Sequence, residues 1–133
     1  MKYWLFVTNE ENWNIIKDKE IYGFNEKTKT DLEKLSKNDL VIIYIKGKKI
    51  GGIFKIINLN EITKIKFKGE DYSYKIKLKK VFVPKHPLDF VDKMINNISI
   101  FKNKARWGTI LMGRATKEIT KEDYYYFEEV LKC

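Results

Sequence analysis

The stretch that decides the fold is Lys2-Tyr3-Trp4-Leu5-Phe6-Val7-Thr8-Asn9-Glu10-Glu11-Asn12-Trp13. Lys2–Thr8 is bulky and apolar over one strand length, so it reads as the first β-strand. Trp4 and Phe6 fall on one face of that strand, which predicts that one or both turn inward. The chain then becomes polar at once. Asn9 or Asn12 can cap a short helix through Lys19, and Glu10 and Glu11 suit its first turn. Trp13 is expected to fasten that helix to the sheet. Ile21-Tyr22-Gly23-Phe24-Asn25 follows as an aromatic loop broken at Gly23.

Outward from this opening, Thr30-Asp31-Leu32-Glu33 has the capping-box pattern of a one-to-two-turn helix ending near Leu35. Asn38-Asp39 turns the chain into Leu40–Ile45, a continuous apolar run typical of a buried strand. A hairpin turn centred on Gly47 leads into a strand over Ile50–Leu59. The pair Gly51-Gly52 inside it predicts a bulge or a close backbone approach. Further strands are expected at Ile62–Phe67 and Tyr72–Val83. In the latter, Lys75, Lys77 and Lys79 alternate with Ile76 and Leu78, giving a basic face and a core face. Leu88–Asn96 has helical apolar spacing, Phe101–Gly113 is loop-like, and Thr116–Ile119 can add a last strand. Thr120 caps a final helix over Lys121–Leu131, where at least one or two of Tyr124, Tyr125, Tyr126 and Phe127 should pack inward. The expected architecture is α+β, a small mixed β-barrel of about five or six strands flanked by short helices, in a single domain spanning 1–133.

Composition narrows the function. The chain has 133 residues and a formal charge of +9. Residues 44–86 carry 12 of the 27 basic residues and only 3 of the 18 acidic ones, whereas the flanking segments are close to balanced. A polyanionic partner would meet that segment through phosphate neutralisation. One cysteine, Cys133, can form neither an internal disulfide nor a thiolate zinc site, which points to a reducing, cytoplasmic compartment. The sequence contains no apolar run long enough for a transmembrane helix, and its start lacks the layout of a signal peptide. The single histidine, His86, sits between Lys85 and Pro87 as a turn residue, so a hydrolytic triad is not expected. The only acidic clusters, Glu10-Glu11, Glu70-Asp71, Glu122-Asp123 and Glu128-Glu129, are adjacent pairs that do not face one another, and the glycines around 47–52 lack phosphate-loop spacing. The reading is of a binding module without catalysis and without a cofactor.

Holding a nucleobase outside a duplex requires rings to stack on, polar groups for the base edge and cations for the flanking phosphates. Candidate walls are Trp4, Tyr22, Phe24 and Trp107, with Gly23 between two of them. Candidate edge readers are Thr8, Asn9, Asn12 and Asn25. Candidate phosphate contacts are Lys46, Arg106, Arg114, Lys75 and Lys77.

Two stretches together resemble a known family. Thr8-Asn9-Glu10-Glu11-Asn12 with the following Tyr22, and Arg106-Trp107-Gly108 with Leu111-Met112-Gly113-Arg114 and Glu118-Ile119, are similar to the EVE domain. That is a PUA-like fold related to the YTH readers of methylated adenine. The resemblance covers almost the whole chain. It implies a pocket for a flipped, modified base of the methylated cytosine or adenine type, in DNA or RNA. It further implies that Tyr22 walls the pocket where the family commonly has Trp, that Trp107 lines it, and that Arg114 holds phosphate. Residues 58–69 supply only Phe67 as a further ring. Any cleavage would require a separate effector protein. Two other readings remain open at this point, a nucleoside or small-molecule sensor using the same cleft, and a subunit that docks an acidic protein.

Overall fold

A computed structural model describes residues 1–24, 29–59, 65–67, 70–72, 74–89 and 116–132. In chain order the elements are β1 (Tyr3–Thr8), α1 (Glu10–Lys19), β2 (Ile21–Phe24), a 3₁₀ helix (Lys29–Lys34), β3 (Leu40–Ile45), β4 (Lys49–Asn58), β5 (Ile65–Phe67), β6 (Glu70–Tyr72), β7 (Tyr74–Phe82), β8 (Leu88–Asp89), β9 (Thr116–Ile119) and α2 (Lys121–Lys132). The main sheet runs β2-β7-β4-β3-β1-β9, with β8 paired to the start of β4, and β5 and β6 form a separate hairpin. β1 and β3 are parallel, from Tyr3↔Leu40 to Thr8↔Ile45, while the other pairs in the main sheet are antiparallel. The sheet curls into a half-barrel, which is the α+β, PUA-like arrangement expected from the sequence.

The unbroken hydrophobicity of β1 and β3 follows from burial on both sides. Trp4, Phe6, Val41, Ile43 and Ile45 join α1 residues Trp13 and Ile16 in an inner cluster. Leu5, Val7, Ile42 and Tyr44 join Tyr124, Phe127 and Leu131 of α2 in an outer one. The spacing of those three α2 residues puts them on one helical face, and Thr120 caps the helix by accepting from the Asp123 amide at 3.1 Å.

Asp39 ties the sheet together at the amino ends of the parallel pair. Its carboxylate accepts from the Lys2 amide (3.0 Å), the Trp4 indole Nε1 (3.0 Å) and the Ser36 amide (2.9 Å), and the residue is 1% exposed. Its own carbonyl accepts from the Ile56 amide, while the Asn38 amide donates to the Ile56 carbonyl. Charge-assisted bonds of this kind are roughly twice as strong as neutral ones and offset the cost of burying the carboxylate. Trp4, considered above as a pocket wall, is instead held in the core by this bond.

Three further differences from the sequence reading have local causes. Ile21–Phe24 is a strand, because Ile21, Tyr22 and Phe24 are buried and pair with Lys77, Ile76 and Tyr74 of β7. Leu88–Asp89 pairs with Ile50 and Lys49 as β8 where a helix is expected, and residues 90–96 lie outside the described residues. The strand expected over 72–83 begins at Tyr74, after β6 has paired with β5.

Gly51-Gly52 meets both expectations. Ile43 pairs with Gly52 and Tyr44 with Ile50, so Gly51 is the extra residue of a bulge. A Cβ on Gly51 would stand 2.7 Å from Cη2 of Trp13, whose ring is wedged edge-on against Phe54 at 6.0 Å. Trp13 therefore docks α1 on the sheet only because Gly51 has no side chain. Gly51→Ala is expected to destabilise the domain by about 1–3 kcal/mol, as overpacked cores do. Urea unfolding followed by tryptophan fluorescence measures the change.

Candidate nucleic-acid interface

The carboxyl ends of β1 and β3 lie side by side at Thr8 and Ile45, and both chains leave the sheet there. Beyond Thr8, Asn9 adopts extended backbone (φ −103°, ψ 172°) and its side-chain oxygen accepts from the Asn12 amide at 2.8 Å, capping α1. Beyond Ile45, the Lys46 amide donates to the Thr8 carbonyl at 2.8 Å. The fold thus gathers four of the residues singled out in the sequence, Thr8, Asn9, Asn12 and Lys46, around the start of α1. Thr8 and Asn12 are each 7% exposed, and Lys46 is exposed. A hydroxyl, two amides and an ammonium supply the donors and acceptors that a base edge and a neighbouring phosphate call for.

Lys46 opens a hairpin whose tip, Gly47 (φ 106°) and Lys48 (φ 62°), lies in left-handed backbone. Glycine is at ease there, whereas lysine pays a conformational cost. Nearby Tyr44 has its phenol pushed up by burial, partly offset by a backbone hydrogen bond from Lys48, so it adds no negative charge beside the hairpin at neutral pH. Lys49 reaches Glu10 at 3.9 Å, an exposed pair that contributes little to stability.

Tyr22 reaches the same end of β1 from below. Its hydroxyl donates to the Val7 carbonyl at 2.7 Å, and its ring lies 4.7 Å from Phe6 and 5.2 Å from Phe24 between centroids. Tyr22 is 5% exposed and Phe24 is fully buried. The exposed aromatic loop expected from the sequence is therefore corrected. These rings are enclosed by their own chain, because pairing with β7 turns them toward Phe6. Gly23 between them is half-buried, opposite Lys75.

Lys75 and Lys77 do not share a surface with Lys46. Ile45 pairs with Lys49 at one end of β4 and Lys77 pairs with Asn58 at the other. Nine residue steps of strand separate those ends, roughly 30 Å at about 3.3 Å per residue. The Lys77 ammonium lies 3.4 Å from the Lys19 carbonyl, at the negative end of the α1 dipole. The single basic face implied by charge counting is two distinct places in the fold.

Asn25, Arg106, Trp107 and Arg114 lie outside the described residues. Among the described residues, no three of His, Cys, Asp and Glu stand together as metal ligands. No described helix is long and apolar enough to cross a membrane. The role of Asp39 escaped the sequence reading. An Asp ahead of an apolar run signals a turn, and nothing local reveals that it meets residues 35 and 37 positions earlier.

Comparison with known proteins places the chain. The family model described as the EVE domain matches residues 2–130. The chain belongs to the EVE domain family, as the paired amino- and carboxyl-terminal signatures implied. A UPF0310 protein of Pyrococcus horikoshii is 31% identical over 147 residues, covering 98% of this chain and 99% of the relative. Among solved structures, the Pho92 YTH domain in complex with m6A superposes with a TM-score of 0.72 at 13% identity, covering 99% of this chain and 84% of that one. The mmi1 YTH domain-containing protein in complex with RNA gives a TM-score of 0.65 at 10% identity, covering 98% and 80%. At such identities the likeness to the YTH structures is one of fold.

The site rests on the α1 cap. Asn9→Ala is expected to cost about 0.5–2 kcal/mol, the usual effect of removing an N-cap. Hydrogen exchange should then show the loss as faster exchange at the Asn12 and Trp13 amides, with α2 unchanged.

Proposed function

We propose that this domain is a binding module for nucleic acid that accepts one extruded, modified base at the carboxyl end of β1 and performs no chemistry on it. The observation that carries this reading is the convergence of Thr8, Asn9, Asn12 and Lys46 around the start of α1. It occurs in an EVE-family chain whose fold matches a YTH domain solved with m6A. In this reading Thr8, Asn9 and Asn12 read the base edge, and Lys46 meets an adjacent phosphate.

Tyr22 acts as the floor of the site. Its bond to the Val7 carbonyl holds the end of β1, and the hydroxyl is engaged without offering an open ring face. Stacking then falls to Trp107, with Asn25 adding a polar contact and Arg106 and Arg114 neutralising flanking phosphates. These four assignments come from the sequence and the family signature. Stacking on one aromatic residue contributes about 1–3 kcal/mol, comparable with the few kcal/mol needed to unstack a base. A base weakened in its pairing by modification would therefore be favoured. Phosphate contacts add affinity without sequence preference.

The test is fluorescence-anisotropy binding to matched DNA and RNA oligonucleotides, single-stranded and duplex. Each carries methylcytosine, hydroxymethylcytosine, methyladenine or no modification. One modified base should bind about tenfold or more tightly than its unmodified match. Asn12→Ala and Trp107→Ala should each remove that preference while leaving the salt dependence unchanged, because neither residue neutralises a phosphate. Equal, salt-steep binding to every oligonucleotide would refute the base site and leave only an electrostatic surface.

A further inference from the structure

Lysine is abundant in this chain, so the informative lysines are those with no local counterpart. Lys49 faces Glu10 at 3.9 Å and Lys132 faces Glu128 at 3.8 Å. Lys77 meets a helix-terminal carbonyl, and the Lys121 ammonium lies 5.7 Å from the centre of the Tyr125 ring. Lys55 and Lys79 differ. They are direct cross-strand partners between β4 and β7, and neither has an acidic partner among the described residues.

Residues opposite one another in an antiparallel pair project from the same face with Cβ atoms about 4.5–5.5 Å apart, and like charges there are destabilising. The face is defined by the neighbouring registers. Lys55 also pairs with Leu40, which packs on the outer cluster beneath α2, whereas the adjacent Ile56 and Leu78 belong to the inner cluster. Lys79 is exposed and Lys55 half-buried. Neither β4 (KIGGIFKIIN) nor β7 (YKIKLKKVF) contains an acidic residue. Lys77 precedes Lys79 by two positions along β7, a step of about 6.6 Å, close to that between successive phosphates of an extended single strand. The sheet thus carries a cross-strand cationic pair on its outer face beside the outer cluster, with the Glu20 carboxylate accepting from the next amide, that of Lys80, at 3.0 Å and no ion pair to either lysine among the described residues.

We propose that Lys55 and Lys79 form a second contact for the sugar-phosphate backbone on the outer face of the sheet, separate from the base site. The inference rests on the nucleic-acid reading above but not on recognition of a modified base. Lys55 is six residues along β4 from Lys49 at the hairpin end, about 20 Å. At the phosphate spacing of an extended strand, close to the step of about 6.6 Å above, about three nucleotide steps cover that distance, so a dinucleotide is too short to engage both places. The domain would hold a strand at two points, with the base site determining position and the lysine pair adding length-dependent affinity.

The experiment compares unmodified single-stranded dinucleotides and 15-mers binding to the wild type, to K55Q/K79Q and to the control K37Q/K85Q, over a range of salt. The control removes the same charge from exposed positions outside the pair. K55Q/K79Q is expected to weaken 15-mer binding about tenfold at low salt and to reduce the salt slope by about 1.4, the value for two single-strand phosphates. Its dinucleotide binding and its preference among modified bases should not change. Its thermal stability should equal or exceed that of the wild type, because a like-charge repulsion has been removed. Equal behaviour of the two double variants, or no 15-mer binding by the wild type, would overturn the inference. A wild type that binds 15-mers without base preference would refute the base site and leave the lysine result standing.

Discussion

The structure depends on the parallel pairing of β1 with β3. A parallel pair cannot be closed by a tight turn and requires a long crossover. In this chain the crossover, residues 9–39, carries the cap of α1, all of α1, β2 and the 3₁₀ helix. The residues proposed to read a base therefore lie on or beside the segment that the pairing obliges the chain to have. Register is held at the amino ends by Asp39, which joins Lys2 and Trp4 of the first strand region to Ser36 at the end of the crossover. A slip of one residue would exchange the inner and outer faces of β1, moving Trp4 and Phe6 to the side of α2. With Asp39 fixed, Thr8 and Lys46 meet at the other end as a geometrical consequence.

The same economy appears in how α1 is seated. The helix is short and polar on one side, with little stability of its own. Its position comes from the Asn9 cap, from Trp13 lying against Gly51, and from the left-handed Glu20 that ends it, whose carbonyl accepts from the Leu78 amide. The last two join α1 to β4 and to β7. Tyr22 adds a further constraint through the Val7 carbonyl. A ring that looked available for a ligand thus serves to hold the end of β1, and the burial of Phe24 reinforces it.

Much of the fold was legible because it follows local chemistry. β1, β3, the hairpin at Gly47, the Asn9 cap, the Thr120 cap and the bulge at Gly51-Gly52 are written in periodicity, capping residues and glycine placement. Features governed by long-range partners were not. Ile21–Phe24 reads as a loop because four residues around a glycine show no period, and only β7 makes them a strand. Leu88–Asn96 has helical spacing, yet its first two residues pair with β4. At the candidate site, four residues singled out in the sequence, Thr8, Asn9, Asn12 and Lys46, lie together at a strand end. Trp4, Tyr22 and Phe24 proved to be buried, and sequence cannot distinguish a ring that lines a cavity from one that fills it. Charge counting likewise located a basic segment but could not show that β4 separates Lys46 from Lys77 by most of its length.

The account is tested most directly by following backbone amide resonances while an oligonucleotide containing the preferred modified base is added. It predicts that Thr8, Asn9, Asn12 and Lys46 shift with the modified oligonucleotide and much less with its unmodified match. Shifts confined to the lysines of β4 and β7, identical for both oligonucleotides, would contradict a base site at the carboxyl end of β1.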